Sequence, residues 1–157
     1  MNQPTSSPAI AIRVATEADI PAMHQIRLQV RENQLSDRSL VQPHHYCPFL
    51  NENGRGWVAE SEGSIIGFAI ADGKNRGVWA LFVDPCAEGA GIGRRLHDKM
   101  LEWFFATSDD QVHLTTEPGT RAERFYRAAG WEYLGLTPNG EANFKIARAS
   151  AVNRDSG

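Results

Sequence analysis

The stretch Val83-Asp-Pro-Cys-Ala-Glu-Gly-Ala-Gly-Ile-Gly-Arg-Arg95 constrains this chain more than any other. It joins a strand-like run, Val78-Trp-Ala-Leu-Phe-Val83, to the longest helical stripe, where Ile92, Leu96, Met100, Leu101, Phe104 and Phe105 recur at helical spacing. Val112-His-Leu-Thr-Thr116 follows as another strand. Strand, long helix, strand is a parallel crossover, because the helix carries the chain back across the sheet. Gly89, Gly91 and Gly93 let the backbone turn tightly and gather N–H groups without Cβ interference, and the helix end adds unpaired donors and positive partial charge. The result is an anion cradle, best matched to a diphosphate. Arg94 and Arg95 oppose the macrodipole in the first turn, which a bound polyanion would explain; the plainer reading is two solvated arginines.

Spacing narrows the anion further. A P-loop ends in Gly-Lys-Ser/Thr, whereas Gly93 is followed by Arg94-Arg95. The dinucleotide fingerprint GxGxxG needs a third glycine where Arg94 or Leu96 stands, and its ribose-binding acid should end the next strand, yet Asp109 and Asp110 precede it. Nucleotide and nicotinamide sites are thereby disfavoured. A net charge of −3 sets nucleic acid aside as a partner, since such domains need a basic excess against phosphates.

The remaining elements assemble around this crossover. Ile10-Ala-Ile-Arg-Val14 reads as a strand, and Thr16 with Asp19 three residues on starts a helix whose stripe is Ile20, Met23, Ile26, Leu28 and Val30. Arg31 to Pro48 reads as a loop or a short second helix. Gly56–Glu60, Ser64–Ile70 and Val78–Val83, divided by Glu62-Gly63 and Asp72–Gly77, read as an antiparallel meander. Thr120-Arg-Ala-Glu123 is a capping box, Gly130 a left-handed helix stop with Trp131 as its clasp, and Trp131–Leu136 with Ala142–Ala147 a closing hairpin. The expected fold class is α/β (α+β): a mixed, mostly antiparallel twisted sheet, helices on both faces and one parallel strand pair. At 157 residues with 41% apolar composition, this is one domain over 9–149, with flexible ends at 1–8 and 150–157. Two cysteines, Cys47 and Cys86, and no apolar run of membrane length suit a cytoplasmic protein.

Taken together, Ile12–Ile20, Leu81-Phe-Val-Asp-Pro85, Glu88-Gly-Ala-Gly-Ile-Gly93 and Ala122-Glu-Arg-Phe-Tyr-Arg-Ala-Ala-Gly-Trp131 resemble the GNAT superfamily of acyl-CoA-dependent N-acetyltransferases. The resemblance implies acetyl-CoA as co-substrate and no metal. It implies that Glu88, Gly89, Ala90, Gly91, Ile92, Gly93 and Arg94 hold the CoA pyrophosphate, largely through backbone amides. Leu81, Phe82 and Val83 would splay from the next parallel strand and pair with the pantetheine arm, forming the CoA cleft, with Phe125 a further cofactor contact. Tyr126 matches the tyrosine that often protonates the leaving sulfur. Two positions depart from the family pattern: Glu88 stands where Gln or Arg is usual, and Gly119 where asparagine is frequent.

Acetyl transfer to an amine needs a neutral amine, a donor for the developing oxyanion and a proton for the leaving thiolate. A backbone N–H near Phe82 and Val83 suits the oxyanion. Tyr126, a phenol protonated at neutral pH, suits the thiolate; its plainer reading is a packed aromatic. Glu117 and Glu32 are alternative bases, each acting directly or through water. His113 reads as core, and His24 and His97 as helix-surface residues. His44-His45-Tyr46-Cys47 lacks a second ligand pair for zinc. The acceptor wall is expected from Arg31 to Tyr46, with Glu32, Tyr46 and Trp79 as substrate residues, and Asp37 adds to an acidic surface suited to a cationic or aromatic-bearing amine. The expected partner is a small-molecule amine, or a peptide amine, with no nucleic acid and no membrane; a homodimer stays open. A non-catalytic acyl-CoA sensor is the alternative from another class.

Overall fold

These patterns build a seven-stranded sheet in the computed structural model, which describes residues 9–30 and 41–148. In chain order the elements are β1 (Ile10–Val14), α1 (Ile20–Gln29), α2 (Cys47–Asn51), β2 (Gly54–Ser61), β3 (Ser64–Asp72) and β4 (Gly77–Val83). Then come α3 (Ile92–Thr107), β5 (Val112–Thr116), α4 (Arg121–Ala128), β6 (Glu132–Leu136) and β7 (Ala142–Ile146). Across the sheet the order is β1-β2-β3-β4-β5-β7-β6, antiparallel at each described pairing except β4–β5. The stretch left open between loop and helix folds, from Pro43, as a 3-10 turn running into α2. The ends expected to be flexible, 1–8 and 150–157, lie outside the described residues, as does the 31–40 segment.

β2 and β3 are covered on both faces, which is why they read as near-continuous apolar runs rather than strict alternation. On one face Val58, Phe68 and Ile70 pack with Met23, Ile26 and Tyr46 beneath α1 and α2. On the other, Trp57, Ala59, Ala69 and Ala71 meet Leu96, Met100 and Phe104 of α3. Those three side chains recur at i, i+4 and i+8 and are fully buried, each contributing about 1.5–3 kcal/mol of transfer free energy. At the sheet edge Arg13 donates to both Asp19 oxygens, at 2.9 and 2.8 Å, and to Glu60, tying β1, the start of α1 and β2 together.

Two histidines differ from expectation. His97 is 1% exposed rather than on the surface of α3, because the helix turns that side toward α4 as well as toward the sheet. The Trp131 indole N–H donates to His97 Nε2 at 2.9 Å, which leaves the proton on Nδ1 to be donated to Asp98 Oδ1, also at 2.9 Å. His113 is exposed, not core: on β5 it alternates with buried Val112 and Leu114, so it takes the uncovered face.

The parallel pair is where the sheet opens. β4 and β5 register at Gly77 opposite His113, at their N-terminal ends, and the His113 N–H reaches the Arg76 carbonyl at 2.9 Å. Towards their C-terminal ends both strands line one cavity. β4 is also bulged: Val78 faces Ala71 and Ala80 faces Ile70, leaving Trp79 as the extra residue.

Candidate active site

The cavity between the parting strands has a volume of about 440 Å³. Its lining divides by sheet face. Leu81, Val83 and Phe125 pack with the α3–α4 core, with Tyr126 buried in it, whereas Trp79 and Phe82 pack with the α1–α2 core. The gap between β4 and β5 therefore joins the two faces of the sheet. Two reactants arriving from opposite sides can meet there.

The glycine turn sits at one mouth. Gly89 and Gly91 have φ of +93° and +77°, the left-handed region where a side chain is strained, and nothing lies within 4 Å of where either Cβ would stand. The first helical hydrogen bond of α3 runs from Arg95 N–H to the Gly91 carbonyl at 3.1 Å, so the amides of Ile92, Gly93 and Arg94 precede the helical ladder. Gly93 lines the cavity, and a Cβ there would lie 3.6 Å from Val83 and 3.9 Å from Phe125. An open, glycine-rich turn at a helix N-terminus beside a cleft of this size fits the pyrophosphate and arm of CoA.

Charges near the turn are engaged within the fold. Arg94 Nε donates to Asp98 Oδ1 at 2.8 Å, and Arg95 donates to the Ile10 carbonyl at 3.2 Å. Burial works against the Asp98 carboxylate, but hydrogen bonds from His97 and Arg94 prevail and hold it below its ordinary range. Glu88, the unusual acid, forms an ion pair with Arg121 at the start of α4, so a local cation meets its charge. Gly119 has φ of +80°, and its N–H donates to Glu123 Oε1 at 2.7 Å, which with Arg127 holds that carboxylate below its usual value.

Tyr126 lies on the cavity wall, 5% exposed, among His97, Phe125, Trp131 and Phe144. Burial pushes its phenol above the ordinary value, so it remains protonated across the physiological range. Glu117 lines the cavity just past β5, its carbonyl accepting from the Thr120 hydroxyl at 2.7 Å. The cavity thus gathers Leu81, Phe82, Val83, Glu88, Gly93, Phe125, Tyr126, Glu117 and Trp79. Gly89, Ala90, Gly91 and Arg94 are not on its lining but neighbour Glu88 and Gly93 in the chain, and the Ile92 side chain is core. Tyr46 stands behind the wall, fully buried and edge-on to Trp79 at 5.0 Å. Glu32 and Asp37 lie outside the described residues. Among the described residues no three His, Cys, Asp or Glu side chains come together as a metal site; His45 Nδ1 instead accepts the Gln42 N–H at 2.8 Å.

Sequence reasoning missed His24, Arg27 and Glu141 on the wall and Arg121 beside Glu88. The signal available was spacing: His24 and Arg27 stand at i and i+3 beside the buried Met23 and Ile26. His24 Nδ1 and the Tyr46 hydroxyl share a hydrogen bond at 3.1 Å, and burial presses the neighbouring Arg27 guanidinium below its ordinary value while Tyr46 counters it. Burial, helped by the Arg27 charge, holds the His24 pKa below its ordinary value.

A splayed parallel pair, a glycine-rich turn at a helix start and a buried phenol on the wall define a site of the acyl-CoA transferase kind. The description of the family whose model matches residues 20–131 is acetyltransferase (GNAT) family. The chain belongs to that family and is an acetyl-CoA-dependent N-acyltransferase by class. Its fold is similar to the crystal structure of Ard1 from Thermoplasma volcanium, with TM-score 0.75 and 20% identity, covering 88% of this chain and 97% of that one. A ribosomal-protein-alanine N-acetyltransferase from Brucella melitensis is similar at TM-score 0.71 and 26% identity, covering 87% and 99%. The PaiA N-acetyltransferase from Thermoplasma acidophilum, solved with coenzyme A, is similar at TM-score 0.69 and 14% identity, covering 88% and 99%. No helix among the described residues is long and apolar enough to cross a membrane.

Proposed function

We propose that this protein transfers an acetyl group from acetyl-CoA directly to the primary amine of a small molecule, both substrates being bound together, in the cytoplasm. The observation that carries this reading is the opening between β4 and β5, which joins the glycine turn on one face to the α1 wall on the other. Acetyl-CoA supplies the acyl group as a thioester, a carbonyl activated toward amines. The amides of Gly89 to Arg94 hold its pyrophosphate, and the backbone of Leu81 to Val83 holds its arm. A backbone N–H near Phe82 faces the negative charge that develops on the acyl oxygen. The amine lone pair forms the C–N bond as the C–S bond breaks. Glu117 takes the amine proton, directly or through water, and Tyr126 gives its proton to the departing sulfur.

Direct transfer makes a kinetic prediction. Free-thiol release should require an amine, and initial rates at varied acetyl-CoA and amine should give intersecting double-reciprocal lines. Parallel lines would indicate a covalent acyl-enzyme, with exposed Cys86 the nucleophile to test, and would overturn the ternary complex. Two of the similar structures are named as ribosomal-protein-alanine N-acetyltransferases, which supports a second reading with a protein N-terminal amine as acceptor. Release driven by peptides but by no free amine would favour that reading.

A further inference from the structure

The wall opposite the glycine turn is built around a held cation. Arg27 projects from α1 into the cavity lining, its guanidinium carbon 4.9 Å from the ring centre of Trp79 and 5.0 Å from that of Phe82. The buried Tyr46 belongs to the same cluster, its hydroxyl 3.1 Å from His24 Nδ1 and its ring edge-on to Trp79. Trp79 stacks on Phe49 at 4.6 Å. Two ring faces thus hold the fork of N–H donors at the cavity. A leucine at this position would extend the apolar surface of Phe82 and Trp79 without the cost of desolvating a charge, so packing alone gives no reason for arginine here. Guanidinium geometry matches a carboxylate, with two parallel hydrogen bonds.

The opposite wall has the opposite charge. Among the described residues the carboxylates on the cavity are Glu88, already beside Arg121, and Glu117 and Glu141 on the β5–β7 side; α1 contributes His24 and Arg27 and no acid. Such a cleft suits a molecule that is negative toward α1 and carries its amine toward β5. The expectation of a cationic acceptor rested partly on Glu32 and Asp37, which lie outside the described residues.

We propose that the acceptor is a small amino-carboxylic acid, whose carboxylate is taken by Arg27 while its amine is presented at the β4–β5 opening. This rests on the transferase reading above and specifies its substrate class. The step is unchanged: the amine loses one proton, the C–N bond forms, the C–S bond breaks and the sulfur gains a proton. The carboxylate is bound and takes no part in bond making.

The test is a matched series assayed with the full chain by acetyl-CoA-dependent thiol release: amino acids of several side-chain types, each as the free acid, the amide and the decarboxylated amine. The free acid should exceed both neutral partners by about 10-fold or more in kcat/KM, the range expected for a charged hydrogen bond. Arg27→Gln should erase that preference while leaving acetyl-CoA affinity, measured by titration calorimetry, within about twofold, and Arg27→Lys should restore part of it. Neutral amines used as well as the acids by the unaltered protein would overturn this inference alone, and that comparison needs no variant to fold. Loss of all three substrate types in equal measure on Arg27→Gln would likewise overturn it, leaving Arg27 a structural residue. Release with no amine, while acetyl-CoA still binds, would overturn the transferase reading and this inference with it.

Discussion

Tyr126 and Glu88 carry the sharpest consequences at the scale of single residues. The Tyr126 phenol is raised by burial and lies on the cavity wall, so its contribution is a proton and not a charge. Tyr126→Phe keeps the ring packed against Trp131 and Phe144 and removes only the donor. We expect kcat to fall by about 10²-fold with acetyl-CoA affinity within about twofold, since general-acid assistance is worth about 10²–10⁴; steady-state kinetics beside calorimetric titration checks this. An unchanged kcat removes Tyr126 from the chemistry. Glu88 pairs with Arg121 next to the glycine turn. Glu88→Gln removes a negative charge from a proposed pyrophosphate site and releases Arg121 towards it. Both effects should lower the KM for acetyl-CoA, by roughly fivefold at low salt and less as salt screens the charges. A raised KM would mean that the pair shapes the turn instead. These residues were legible to different degrees. Glycine at 89 and 91 shows in the sequence because left-handed backbone selects residue type. The partnership of Glu88 with Arg121 does not show, because it joins two elements across a cleft.

At the scale of elements, the start of α1 depends on an ion pair with β1. Arg13 hydrogen-bonds Asp19 and holds its carboxylate below the 3.8 expected of a free aspartate, against the opposing effect of burial. The folded value is depressed, so this stabilisation is complete above the unfolded value and is lost as pH falls through the folded one. Asp19→Asn should therefore lower the melting temperature at pH 7 and flatten the decline of stability below about pH 4. Equal acid sensitivity in the two proteins would exclude Asp19 from that transition. The turn before α3 is a second test: Gly91→Ala places a Cβ at φ of +77° in open space, costing about 1–2 kcal/mol of strain without a clash. It should lower stability by that amount in thermal unfolding and raise the KM for acetyl-CoA. Periodicity made these elements legible, from the Leu96, Met100, Phe104 stripe to the Thr120 cap, whose hydroxyl accepts the Glu123 N–H at 3.3 Å. It could not orient isolated histidines: His97 is buried because α4 and Trp131 meet α3 there, and His113 is exposed by strand alternation alone.

For the whole molecule, the decisive feature is that one sheet supports two apolar cores and is split at β4–β5. The glycine turn and the crossover follow from local spacing, whereas the split between their strands is an implication of the family resemblance carried by Leu81–Pro85 and its companion motifs. Tyr46 and Trp79 were expected on the acceptor wall but Arg27 was not, because the three come from separate segments and meet only in the folded chain. On this reading acetyl-CoA occupies the split with its pyrophosphate on the turn. Hydrogen exchange followed by mass spectrometry, with and without acetyl-CoA and with NADH and ATP as comparators, tests it most directly. Protection is predicted for the amides of 81–83 and 89–95 with acetyl-CoA alone. Protection elsewhere in the chain, or equal protection by NADH or ATP, would remove acetyl-CoA from the β4–β5 split.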